Sequence, residues 1–261
     1  MPGSYLSLQH IAKQYGEGPS AAKILGDVTL DVKHGEFVSI LGPSGCGKST
    51  LLSIIAGLLA PTHGAVTLDG RAVTQPVVEM VYLFQQYSKS LFPWRRVIDN
   101  VSLGLEAPSR RRNRSASKVR ELCEQHLAMV GLADVGHLFP WQLSGGMQQR
   151  VAIARALIAG PKVLLMDEPF SAVDALARNL LQDLILDLWS KLNITILFVT
   201  HDVDEAVYLA DRVLTLSKPP VRVTDSIDID LARPRRQIET RESADFLRYR
   251  RALYSKVIGS G

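Results

Sequence analysis

The stretch from Glu36 to Thr50, EFVSILGPSGCGKST, limits the fold more than any other part of the chain. An apolar run passes without a spacer into a glycine-rich turn. The turn passes into KSTLLSIIAGLL, which ends at Gly57 to Pro61. That order is strand, loop, helix, and a strand this apolar on both faces needs neighbouring strands and covering helices. Gly42, Gly47, Lys48 and Ser49 match G-x-x-x-x-G-K-[ST] in full. The glycines let backbone N–H groups close around phosphates. Pro43, Ser44, Gly45 and Cys46 form the arch of the loop, and Thr50 lies at its exit. Lys48 is expected to neutralise the outer phosphates, and the Ser49 hydroxyl to reach Mg²⁺. Because Cys46 lies inside the loop, a thiol reagent is expected to block it and bound nucleotide to protect it.

The rest of the chain alternates in the same way. YLSLQHIA, VTLDV, GAVTLDG and VVEMVYLFQ read as strands. From about Val97 to Gly160 the pattern turns helical. Strand character returns at KVLLMDEP, a long helix follows from about Ala175, and ITILFVTHD, VLTLS and VRVTDSIDI are further strands. Leu176, Leu180, Leu184 and Leu188 are expected to form one apolar stripe on the long helix. SADFLRYRRALYSKVI is amphipathic, and RPRRQIETR at 233–241 is the best candidate for a joint before it. Strands alternating with helices imply an α/β fold with a mainly parallel sheet, interrupted by a helical block near 90–160.

Two further strand ends carry chemistry. VLLMDEP places Asp167 and Glu168 where ligands bind in an open α/β sheet. Asp167 would hold Mg²⁺ through its water shell, and Glu168 would orient and polarise the attacking water. FVTHD places His201 at the end of another apolar strand, within reach of a γ-phosphate. His10, His34, His63, His126 and His137 read as ordinary polar residues. LSGGMQQR, Leu143 to Arg150, reads as a second turn built to hold an anion, since a Ser-Gly-Gly sequence opens an apolar-periodic helix.

Composition narrows the setting. With 46% hydrophobic and 21% charged residues the chain is globular rather than disordered. Two cysteines make no disulfide framework, which favours a reducing compartment. The first sixteen residues lack a basic flank followed by an apolar run, so no signal peptide is expected. The apolar stretches at 51–60 and 194–199 are too short to span a bilayer, so any membrane contact is peripheral. A net charge of +4 permits a nucleic-acid or membrane-surface partner without requiring one.

Taken in order, GPSGCGKST, LFQQ, LSGGMQQR, LLMDEP, SAVD and VTHD resemble the ATPase subunit of ABC transporters over nearly the whole chain. The resemblance implies a P-loop NTPase of the ABC type. Its RecA-like, mainly parallel core would carry an antiparallel β subdomain and an inserted helical subdomain. The implied boundaries are 1–88 (core, β subdomain and phosphate loop), 89–160 (helical subdomain with LSGGMQQR), 161–232 (rest of the core) and 233–261 (helical tail). It implies ATP and Mg²⁺ as cofactors. Gln85 becomes a Mg²⁺ and water contact, and Tyr15 an aromatic stacked on adenine. Ser171 to Asp174 becomes a loop linking two active sites. It also implies a head-to-tail homodimer. Ser144, Gly145, Gly146 and Gln148 of one subunit would then complete the phosphate loop of the other.

The segment LFPWRRVIDNVSLGLE and the tail IDIDLARPR…TRESADFLRYR resemble the ATPases of nitrate, sulfonate, taurine and bicarbonate importers. The stretch RAVTQPVVEMVYLFQQYSKS departs from that branch. At this length the extra C-terminal regulatory domain of maltose-type ATPases is not expected. The implied partners are transmembrane permease subunits and, indirectly, a solute-binding protein, at the cytoplasmic face of the cell membrane. Another transporter branch, with different cargo or export, is the alternative. A nucleic-acid or ribosome ATPase is the rival class, and no nucleic acid is expected, because such proteins usually carry two cassettes or long coiled-coil inserts. RRRNRSASKVR at 110–120 and Arg248, Arg250 and Arg251 read as solvated faces, with anionic headgroups as the alternative contact.

Overall fold

The computed structural model describes residues 4–16, 18, 21–85, 90–107, 114–171 and 173–259, side chains excepted at 257–259. Gln86, Arg110, Arg111, Arg112 and Ala172, each part of a motif read above, lie outside the described residues. In chain order the first elements are β1 (Leu6–Tyr15), β2 (Ala22–Val32), β3 (Phe37–Leu41), α1 (Lys48–Ile55), β4 (His63–Leu68), β5 (Arg71–Ala72) and β6 (Met80–Leu83). Then come α2 (Val97–Ser102), α3 (Ala116–Met129), α4 (Gly145–Ile158), β7 (Val163–Asp167) and α5 (Ala175–Leu192). The last are β8 (Thr195–Thr200), α6 (Val203–Leu209), β9 (Arg212–Leu216), β10 (Val221–Asp228), α7 (Gln237–Arg241) and α8 (Ala244–Gly259).

The chain divides into two compact units, Met1–Val77 with Trp189–Gly261, and Val78–Leu188. In the first unit the described strands run in the order β5-β4-β1-β2-β10-β9-β3-β8. β9, β3 and β8 are parallel. β1 pairs antiparallel with β2 and β4, and β4 with β5, which makes an antiparallel half. β3 and β8 are buried at every position, which explains their largely apolar sequences. β10 alternates half-buried and exposed residues after a buried Val221 and runs antiparallel to β9, so the sheet is mixed at that point.

In the second unit β6 and β7 pair in parallel, from Met80↔Val163 to Leu83↔Met166. Helix α4 buries Val151, Ala152, Ile153, Ala154, Ala156, Leu157 and Ile158. A helix apolar nearly all round belongs in a core.

Two sequence expectations are corrected. Leu176 is 73% exposed and Leu180 52%, while Leu181, Ile185 and Leu188 are buried. A repeat of four drifts around the helix, so residues twelve apart are about 120° apart at 3.6 residues per turn. The buried stripe follows the i, i+4, i+7 set instead. The stretch at 233–241 is not a free joint, because Arg235 is buried and bonded to backbone carbonyls. No helix among the described residues is long and apolar enough to cross a membrane.

Candidate functional site

In the first unit the phosphate loop leaves the buried strand β3 and turns into α1. Gly47 precedes α1 with φ 115°, and a Cβ there would stand 2.7 Å from Ile24 Cγ2. Glycine is thus required twice, by backbone angle and by space. Lys48 is buried, and its Nζ donates to the carbonyls of Gly42 and Pro43, both at 2.9 Å. This fixes the ammonium beside the loop backbone. Helix α1 has no acidic residue in its first turn, so its own side chains leave the positive end of its dipole uncompensated. Ser44, Gly45 and Ser49 are exposed, and Thr50 is half-buried. The donor set, of loop amides, an ammonium and a hydroxyl, fits a polyphosphate with a hard cation.

Cys46 differs from the sequence expectation. The residue is 2% exposed, and a Cβ on Gly42 would stand 3.3 Å from its Sγ, so the thiol is packed within the loop rather than presented to solvent. Cys123 is also buried, and burial, with Asp99 and Glu124 nearby, pushes its thiol up to about 11. Near neutral pH, alkylation of either thiol in the folded chain should run at less than about a tenth of the rate in the denatured chain. Thiol counting by mass spectrometry checks this; rapid labelling of Cys46 that ATP prevents would restore the earlier expectation.

His201 follows β8, whose Thr200 stands opposite Leu41 in parallel register. The phosphate loop and His201 therefore leave neighbouring strands at the same level. The turn is held by residues that sequence reading passed over. Thr200 Oγ1 donates to buried Glu205 at 2.7 Å and accepts from the Asp202 amide at 3.0 Å. The Asp202 carboxylate caps α6, accepting from the amides of Asp204 at 2.8 Å and Glu205 at 3.2 Å. The Asp-x-x-Glu spacing after His201 was the available signal.

Tyr15, 48% exposed, ends β1 opposite Ala22, two residues from the Ile24 side chain that limits Gly47. Lys13 Nζ lies 5.2 Å from its ring centroid.

In the second unit the parallel register of β6 and β7 sends Gln85, Asp167 and Glu168 out at one end. Gln85 Nε2 donates to Glu168 Oε2 at 3.3 Å. Asp167 is buried and accepts from the Tyr82 hydroxyl at 2.9 Å. Glu168 has φ 42°, a left-handed conformation that costs a non-glycine residue about 1–3 kcal/mol. The Glu168 carbonyl accepts from the Ser171 amide at 3.2 Å, so a tight turn holds the carboxylate in this strained setting.

The Ser-Gly-Gly turn opens α4. Ser144 is its N-cap, with Oγ accepting from the Met147 amide at 3.3 Å; the hydroxyl proton can still be donated. A Cβ on Gly145 would meet nothing within 4 Å, and Gly145 has no positive φ. Nothing within the described chain requires glycine there. Gln148 turns back, its Nε2 donating to the carbonyls of Pro140 at 2.9 Å and Leu143 at 3.2 Å. Gln149, fully buried in an otherwise apolar face, donates to the Pro169 carbonyl. It ties the Ser-Gly-Gly helix to the turn that carries Glu168, and a lone Gln in that face was its signal. Asp174 accepts from the Ala177 amide at 2.9 Å and so caps α5. A Cβ on Gly146 would lie 3.5 Å from Ala177, which brings the start of α5 beside the start of α4.

Comparison with known proteins agrees with this architecture. The family profile described as ABC transporter matches residues 25–171. The uncharacterized ABC transporter ATP-binding protein MJ0412 of Methanocaldococcus jannaschii is 46% identical over 248 residues, covering 95% of this chain and 89% of its own. The nitrate import ATP-binding protein NrtD of Synechococcus elongatus is 44% identical over 246 residues, 90% of this chain and 87% of its own. Among solved structures, the dimeric post-hydrolysis state of the ATP-binding cassette MJ0796 bound to ADP and Pi superposes with TM-score 0.75 at 34% identity. It covers 87% of this chain and all of that one.

Proposed function

The chain belongs to the ABC transporter family of ATP-hydrolysing subunits, and from that premise we propose that it drives import of a small anion through a separate transmembrane permease. Nitrate, sulfonate, taurine and bicarbonate are the candidate cargoes. The 44% identity to a nitrate import ATP-binding protein supports this class. The observation that supports the mechanism is that one chain holds two glycine-containing turns that each open a helix and offer donors suited to an anion. One is the phosphate loop at 42–50. The other is the Ser144 turn, whose Gly145 faces open space.

In this reading two copies pair head to tail, and the Ser144 turn of each completes the nucleotide held on the phosphate loop of the other. The N-terminus of α4, the Ser144 hydroxyl and the amides of Gly145 and Gly146 offer donors to the γ-phosphate. Gly145 leaves room for the partner's nucleotide. Tyr15 stacks on adenine, and Lys48 and the loop amides hold the phosphates. Mg²⁺, when bound, neutralises phosphate charge; Ser49, Gln85 and Asp167 supply oxygen donors suited to it. Glu168 accepts a proton from the water it orients, with Gln85 holding that carboxylate. His201 donates to the γ-phosphate. Asp174 fixes the start of α5 in the loop linking the two sites. Residues 1–88 and 161–232 make the ATPase core, 89–160 the helical subdomain, and 233–261 a tail. The complex sits at the cytoplasmic face of the membrane, with a solute-binding protein delivering cargo.

Docking of the permease falls on the segment after Gln85. Phe92 and Trp94 stack at 5.2 Å and 16°, and Trp94 is 72% exposed. Their turn is pinned by side-chain hydrogen bonds. Buried Asn100 donates to the carbonyls of Phe92, Arg95 and Arg96, all at 3.1 Å, and accepts from the Phe92 amide at 2.7 Å. Arg155 of α4 donates to the Ser90 carbonyl at 2.7 Å. Replacing Phe92 and Trp94 by alanine should leave soluble ATPase activity within about twofold. Transport in vesicles should fall more than about tenfold, because exposed aromatic anchors dominate interface energies. Unchanged transport would remove this segment from the interface. Cargo identity is tested by co-purifying the membrane partner, adding its solute-binding protein and measuring ATP hydrolysis with each candidate cargo present. Lack of stimulation by all four anions would overturn the assignment.

A further inference from the structure

Helix α6 is only seven residues long and starts two residues after His201. A helix this short has little stability of its own, so what grips its ends sets its position. Asp202 and the Thr200–Glu205 bond hold its first turn, as described above. Its last turn has no glycine cap; Ala210 follows in extended conformation, φ −83° and ψ 155°. The final carbonyls of a helix lack intrahelical partners. The Ala206 carbonyl accepts from the Ala210 amide at 3.2 Å, and two arginines from the segment after β10 cover the others. Arg235 Nη1 lies 3.2, 2.9 and 2.8 Å from the carbonyl oxygens of Val207, Tyr208 and Ala210. Arg233 Nη2 donates to the Leu209 carbonyl at 3.0 Å and to Asp211 at 2.7 Å.

The grip extends along α6. The Arg241 guanidinium lies 5.0 Å from the Tyr208 ring centroid. From α8, Arg250 Nε stands 2.9 Å from Asp204 Oδ1 in the first turn of α6. Phe246 and Leu253 of α8 are buried. Arg235 itself is 7% exposed, and burial, with Arg233 nearby, pushes its guanidinium down to about 10, still charged near neutral pH. Carbonyl dipoles at a helix C-terminus offset such a charge. An apolar side chain would fill the space without the desolvation cost. What the guanidinium adds is a fixed direction for α6.

We infer that the segment from Arg233 to Arg250 braces His201, with Arg235 as a positioning residue that sets the imidazole through α6 and its Asp202 cap. This rests on the reading of His201 as a γ-phosphate contact.

The test measures kcat and KM for Mg-ATP on the full chain, with the thermal midpoint as a check on folding. Arg235→Met should lower kcat about tenfold and change KM less than about twofold, since lost positioning falls on turnover. Combined with His201→Ala it should lower kcat no further than His201→Ala alone, because the group it positions is gone. Arg235→Lys keeps the charge but not the fork and should recover only part of the loss. If Arg235→Met does not fold, Arg250→Gln, which removes the half-exposed partner of Asp204 on α6, carries the same cycle with an effect of about two- to threefold. Normal turnover in His201→Ala would overturn the reading of His201 and the brace with it. A loss in His201→Ala that the second substitution multiplies, or a change in KM alone, would overturn the brace while leaving His201 in place.

Discussion

Replacing Glu168 with glutamine should lower ATP turnover by about 10²–10⁴-fold, the usual contribution of a general base, while ATP affinity stays within about threefold. The substitution keeps side-chain volume and the left-handed backbone at 168. Asp167 keeps its bond from Tyr82, and Lys48 keeps its carbonyls, so the groups assigned to phosphate and Mg²⁺ are untouched. The carboxylate that would take a proton from water is lost. Gln85, 3.3 Å from Glu168, then faces an amide in place of a charge. Phosphate release gives kcat, and equilibrium binding of a fluorescent ATP analogue gives affinity. Turnover within about fivefold of the parent would remove Glu168 from the role of base, since that loss is smaller than a general base supplies.

The second large effect separates a shared site from a self-contained one. Lys48→Ala weakens phosphate binding, and Ser144→Arg places a bulky cation at the N-cap of α4. Losing the cap costs about 0.5–2 kcal/mol of helix stability, so each variant is first checked for its thermal midpoint. In the proposed pair, lesions on different chains meet in one pocket and leave the other whole. Lesions on the same chain, beside a normal partner, put one defect in each pocket. Trapped Mg-ATP is therefore expected at one site per dimer in the first arrangement and nearly none in the second. A chain that used its own Ser144 turn would give the reverse. Nucleotide trapping is the readout of choice, because turnover at paired sites is coupled. Trapping that favours the same-chain arrangement would sink the shared-site reading.

Much of this protein was legible in its residues because the relevant signals are local. The phosphate loop needs glycine at particular backbone angles and lysine at a fixed offset, and both survive as spacing in GPSGCGKST. Buried parallel strands leave largely apolar runs, so β3, β7 and β8 were visible in the sequence. Strand ends then marked Asp167, Glu168 and His201. Other features depended on partners distant in sequence. Cys46 sits in the right motif yet faces inward, since which side of a loop is covered depends on what packs beneath it. The leucines at 176 and 180 share a spacing with Leu188 but not a buried face, because tertiary contact selects the stripe. Gln149 and Tyr82 gain their meaning from Pro169 and Asp167, twenty and eighty-five residues away. Arg235 looked like part of a charged joint, and only the fold shows it closing the last turn of α6. The sequence by itself determined the phosphate chemistry, because backbone angle and side-chain type act within a few residues. The tertiary structure alone decided which groups hold that chemistry in place, because hydrogen bonds and burial are made with whatever the fold brings alongside.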